Sequence, residues 1–163
     1  MNLSFRHLAA TTTGLTFGLI LLGVYTGASG AGLACAGRWP LCDGWLGLFP
    51  KTWPSFIEWF HRFVAMITGF FILGTTYAAW RSDRNRITKY ASAIAVVVLP
   101  VQVLLGANTI LNFGIMAQVA HHAAALTILC AMVIVTTLAF AGADGSTATV
   151  ADSEASSLSS ADD

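Results

Sequence analysis

Four long apolar runs alternate with polar or turn-forming stretches along the chain. They cover 7–27, 57–80, 90–111 and 115–141. Each holds about 20 residues or more, the helix length that crosses a hydrocarbon core of about 30 Å. Inside a bilayer no water satisfies the backbone, so such runs predict α-helices. Thr11, Thr12, Thr13 and Gly14 give the first run a small-residue face suited to close packing. Pro100 lies within the third and predicts a kink. Between the first two runs, 29–56 is a long loop rich in Gly, Trp and Pro. The stretch 81–89 is short and basic, and Asn112-Phe113-Gly114 reads as a tight turn. The final stretch, 142–163, is acidic and almost free of large apolar residues, so disorder is expected there. The fold class that follows is an all-α membrane protein. Its expected architecture is a four-transmembrane-helix antiparallel bundle over 1–141, with a long outer loop between helices 1 and 2.

Composition agrees with the pattern. The 163 residues are 56% hydrophobic and 10% charged, where a soluble domain carries about 25% charged residues. A formal net charge of zero offers no footprint for nucleic acid, so membrane lipid is the expected surrounding. The first run is longer than a signal-peptide core and reads as a retained helix. Arg81, Arg84, Arg86 and Lys89 stand against Asp83 in 81–89, and the positive-inside rule places that stretch in the cytoplasm. Arg6 falls on the same side. Both termini are then cytoplasmic, the 29–56 loop is outside, and the expected location is the plasma membrane. Trp39, Trp45, Trp53 and Trp59 fall in or beside that loop. Tryptophan favours the membrane interface, which suggests a lid lying on the surface.

Candidate chemistry gathers at the outer end. Glu58-Trp59-Phe60-His61-Arg62 opens the second run. Charges in the lipid phase cost a few kcal/mol each and usually face a bundle interior. Glu58 and His61, three apart, share a helix face. A plainer reading makes the stretch an interfacial anchor, with Arg62 snorkelling and paired to Glu58. His121 and His122 lie early in the fourth run, at a depth similar to His61. Facing imidazoles in a bundle core suit a haem iron. Zinc would want further ligands, and only Glu58 is near. The His121–His122 pair also fits simple bonding to helix backbone or to Gln118. Neighbours on a helix stand about 100° apart, so one of the two faces the axis, and spacing does not choose which. His7 reads as interfacial. Cys35 and Cys42 share the outer loop, where a disulfide is the first reading and a redox-active pair the sharper one. Their spacing is neither C-x-x-C nor C-x-x-C-H. Cys130 reads as a small buried hydrophobe.

Several stretches match one family in order. They are Gly32-Leu33-Ala34-Cys35, Arg38-Trp39-Pro40-Leu41-Cys42-Asp43-Gly44, Glu58-Trp59-Phe60-His61-Arg62, Gln102-Val103-Leu104-Leu105-Gly106-Ala107, and His121 with Ala125. In these the chain resembles haem A synthase, a membrane enzyme that converts haem O to haem A for a terminal oxidase. That family usually has eight helices in two similar halves. This chain resembles the N-terminal, cysteine-bearing half.

The resemblance implies oxidation of a methyl group of haem O to a formyl group. It implies His61 and His121 as axial ligands to iron, with His122 as the alternative to His121, and Glu58 as the catalytic carboxylate. The family's basic residue ahead of the first cysteine is missing from 26–32, so Arg38, Arg62 or Lys51 is expected to meet the propionates. Haem b or haem A is a further bound cofactor in this reading. A homo-oligomer, a dimer, would recover two sites. Haem O synthase and terminal oxidase subunits are the expected protein partners. One competing function is a membrane haem b protein that only carries electrons. A second is a haem-free thiol oxidoreductase, although no second cysteine pair supports it. A third is an assembly or scaffold role for a respiratory complex.

Overall fold

The structure is a computed structural model that describes residues 4–35, 37–112 and 114–159, with side chains as far as residue 142. Four helices carry the fold: α1 (Phe5–Ala28), α2 (Trp53–Arg81), α3 (Arg86–Leu111) and α4 (Ile115–Ser159). A short 3-10 turn (Ala31–Leu33) follows α1. All four helices are long and apolar enough to cross a membrane, α4 over Ile115–Gly142. No strand forms among the described residues beyond one bridge between Trp45 and Phe49.

The first three helices start earlier than their apolar runs do. Thr52 caps α2, its hydroxyl accepting from the Ser55 N–H at 3.3 Å, with Pro54 in the first turn. Asn85 caps α3 by accepting from the Thr88 N–H at 2.8 Å. Apolarity marks where lipid begins, whereas a cap marks where the backbone ladder begins. α3 continues through Pro100 as a single element. α4 continues as far as Ser159, across most of the stretch expected to be disordered, while 160–163 lie outside the described residues. A segment joined to a formed helix needs no new nucleus, so the helix can carry on through it.

Large apolar side chains point outward, among them Phe70, Val97 and Leu104 at 65%, 70% and 66% exposure. The interior is built from smaller residues, as expected where lipid is as apolar as leucine and close packing decides association. Cys130 is exposed on α4, contrary to the buried position expected for it. A small thiol gains little from burial when its outward surrounding is also apolar.

The bundle is solid at one end. Ala9, Ile72, Ala91, Ala95, Ile128, Ala131, Met132 and Val135 form its packed core. Threonines lace the helices together there. Thr12, near the start of α1, bonds Thr75, near the end of α2, at 2.8 Å. Thr13 bonds Thr136 on α4 at 2.8 Å, and Thr76 donates to the Ser92 carbonyl on α3 at 3.1 Å. In unfolding assays in detergent, Met132→Ala is expected to cost about 2 kcal/mol through the cavity it leaves. Thr12→Val is expected to cost about 0.6 kcal/mol, the usual value of an interhelical bond in a bilayer. A larger loss for Thr12→Val would contradict this picture.

Candidate functional site

The other end of the bundle is hollow. A cavity of about 480 Å³ opens there among all four helices and the loop. Glu58, His61, Arg62, Gln102, His121 and His122 line it, with Trp39 and Pro40 of the loop at one side.

The loop is held in place from several directions. Cys35 and Cys42 form a disulfide. The Cys42 N–H donates to the Gly47 carbonyl at 3.0 Å, closing a tight turn. Gly44 sits in this turn with φ +87°, and a Cβ there would fall 1.7 Å from the Phe49 carbonyl oxygen. Only glycine fits such a position. The Ser55 hydroxyl donates to the Ala34 carbonyl at 3.2 Å and ties the start of α2 to the other side of the loop.

Arg62 makes the strongest tie. Its Nη1 donates to the carbonyls of Arg38, Pro40 and Leu41 at 3.0, 3.0 and 2.8 Å. Its Nε donates to Glu58 Oε1 at 2.9 Å. Glu58 is only 4% exposed. The pair is therefore an inward clamp between α2 and the loop, and Arg62 does not reach out to an interface as an anchor would. Nη2 of Arg62 is buried without a hydrogen-bond partner among the described residues. Arg38 takes part through its carbonyl; its side chain is exposed and does not line the cavity. The clamp turns the carbonyls of Arg38, Pro40 and Leu41 toward α2, and the Arg38 guanidinium stays outside. Lys51 is also exposed and away from the cavity.

The two histidines sit in matching ways. A Cβ on Gly23 of α1 would lie 3.0 Å from His61 Cε1. A Cβ on Gly106 of α3 would lie 3.1 Å from His121 Cε1. Each imidazole thus rests on a glycine of the preceding helix, close enough that a methyl group would push it. Nδ1 of both rings is buried and unpartnered among the described residues. His121 Nε2 lies 3.3 Å from the Gln102 amide nitrogen, and Gln102 Oε1 is itself unpartnered. His122 stands edge-on to His121 at 89° and donates from Nδ1 to the Gln118 carbonyl at 2.7 Å. Bonding to Gln118 therefore describes His122, not His121. His7 pairs with Ser4 at the far end of α1. No group of three or more His, Cys, Asp or Glu able to hold a metal ion forms among the described residues.

Three positioning residues carry no role in the sequence reading: Gly23, Gly106 and Gln102. The last two fall inside a matched motif, so a signal was present. Gly23 is one glycine among many, and nothing local distinguishes it.

Residues 45–133 match the COX15-CtaA family, described as cytochrome oxidase assembly proteins. The chain is 33% identical to a haem A synthase of Bacillus licheniformis over 144 residues, 86% of this chain and 47% of that protein. It is 32% identical to a haem A synthase of Bacillus pumilus over 70% of this chain and 37% of that protein. It is also 36% identical to a protohaem IX farnesyltransferase of Halobacterium salinarum, over 66% of this chain and 23% of that protein. The chain thus spans about half the length, or less, of these curated relatives.

Removing the clamp has a defined cost. Arg62→Ala strands a buried carboxylate, at about 3–5 kcal/mol. Adding Glu58→Gln is expected to restore part of that stability, while the loop stays accessible to protease in both variants. If Arg62→Ala left stability and protease resistance unchanged, the clamp would not be what holds the loop.

Proposed function

The chain belongs to the COX15-CtaA family of cytochrome oxidase assembly proteins, and on that footing we propose that it oxidises a methyl group of haem O to the formyl group of haem A. The observation that carries the reading is the pair of glycine-seated imidazoles on α2 and α4, facing one cavity with Glu58 beside them. Nδ1 of each ring is buried without a partner among the described residues, so both imidazoles are available to a haem iron. The residues therefore fit a haem.

In this reading His61 and His121 hold the substrate's iron. His121 is preferred over His122 because its seat on Gly106 mirrors that of His61 on Gly23. Arg62 has one free arm, Nη2, to meet a propionate at the loop end. Glu58 takes a proton from the reacting methyl or alcohol and stabilises positive charge at the rim. Arg62 fixes Oε1 of Glu58, which leaves Oε2 for this work. In the first stage the methyl carbon takes its oxygen from a water molecule, which Glu58 orients, to give the alcohol; in the second the alcohol becomes the aldehyde; each stage passes two electrons to an external acceptor and releases two protons. The disulfide orders the loop that closes the cavity.

We also propose a place in the plasma membrane, with the loop outside and both termini in the cytoplasm. A dimer would give a second site to a chain that spans about half the length of its haem A synthase relative from Bacillus licheniformis. The similarity to a segment of a farnesyltransferase supports a haem O synthase as the neighbour that delivers substrate.

Co-expression with a haem O source followed by haem extraction tests the reaction. Haem A should appear with the wild-type chain, and Glu58→Ala should abolish it while bound haem remains. His122→Ala should keep haem binding. Unchanged haem in the wild type would favour a haem b electron carrier instead.

A further inference from the structure

The cavity is deeper than its polar layer requires. Glu58, His61, Arg62, Gln102 and His121 all lie toward the loop end. Below them the cavity continues to Ile72, which is also part of the packed core. Ile72 lies eleven residues past His61 on α2, about 16 Å down the helix axis. A macrocycle centred between His61 and His121 does not extend that far from its iron.

The lower part is apolar. Met66, Gly69 and Ile72 face it from α2, and Leu99 from α3. Its two hydroxyls are already satisfied, Thr16 by the Thr12 carbonyl and Thr68 by the Val64 carbonyl, each at 2.8 Å. Nothing there asks for a polar ligand. Gly69 keeps the slot open: a Cβ on it meets only Leu99 Cδ2, at 3.8 Å.

We infer that this slot between α2 and α3 holds the long isoprenoid chain of the substrate, the group that distinguishes haem O from haem B. The inference rests on the haem reading above and adds to it the chain's binding place. Continuity with the histidine layer favours this occupant over a separate lipid, because the chain hangs from the same macrocycle. Its contribution is modest, since detergent and lipid are as apolar as the slot and shape alone sets the preference.

Purified full-length protein, titrated in detergent with haem B and separately with haem O and followed by the Soret band, tests the inference. The wild type should bind haem O about tenfold more tightly, or about 1.4 kcal/mol. Gly69→Phe fills the slot and should erase that difference while haem B affinity stays within about twofold of wild type. Gly69→Ala should keep the preference, because its methyl meets ordinary contact distances. Leu99→Trp narrows the slot from α3, opposite Gly69, and should act like Gly69→Phe, which guards against misfolding of one variant. Equal wild-type affinities, or equal loss of both haems in both bulky variants, would overturn the tail site and leave the haem reading standing. A wild type that binds neither haem would overturn that reading and this inference with it.

Discussion

A carboxylate buried inside an apolar bundle needs a fixed donor, and Arg62 is that donor for Glu58. The same guanidinium holds three carbonyls of the loop. One side chain therefore sets the position of the carboxylate, the path of 38–41 and the roof of the cavity together. This coupling explains why the charged stretch lies at the head of a membrane-capable helix despite its cost. An isolated pair of charges would be better placed in water.

The bundle divides its work along its length. At the solid end, Ala131, Met132 and Val135 are buried together, and threonines link neighbouring helices. At the hollow end, Gly23 and Gly106 make room for the two imidazoles, and Gly69 leaves the slot beside Leu99 open. Rigidity at one end is what allows an open cavity at the other, since a bundle loose throughout would collapse onto the void. The imidazoles sit where the two regimes meet the loop, on helices whose relative position the solid end fixes.

Much of this was legible before any coordinates. Apolar length alone marks four membrane-capable helices, because a bilayer allows few other solutions. Glu58, His61 and His121 stood out as polar groups inside such runs, and all three line the cavity. Other features depend on contacts between distant residues, which leave no local trace. Arg38 looked suited to a propionate by charge, yet only its carbonyl turns inward. Cys130 looked buried because it is small and mid-helix, but an apolar solvent removes the usual reason to hide it. The seat of His61 on Gly23 joins residues on different helices, and no spacing rule connects them. Thr52 and Asn85 are cap-forming residue types, but they lie outside the apolar runs, which mark only the lipid-facing part of each helix.

The proposed chemistry requires two rings from separate helices, His61 and His121, to share one iron atom. Low-temperature electron paramagnetic resonance of the haem-loaded protein tests it most directly. A low-spin, bis-imidazole signal is predicted, converting to high spin in His61→Ala and equally in His121→Ala. A wild-type signal that is high-spin, or one that stays low-spin in either variant, would contradict it.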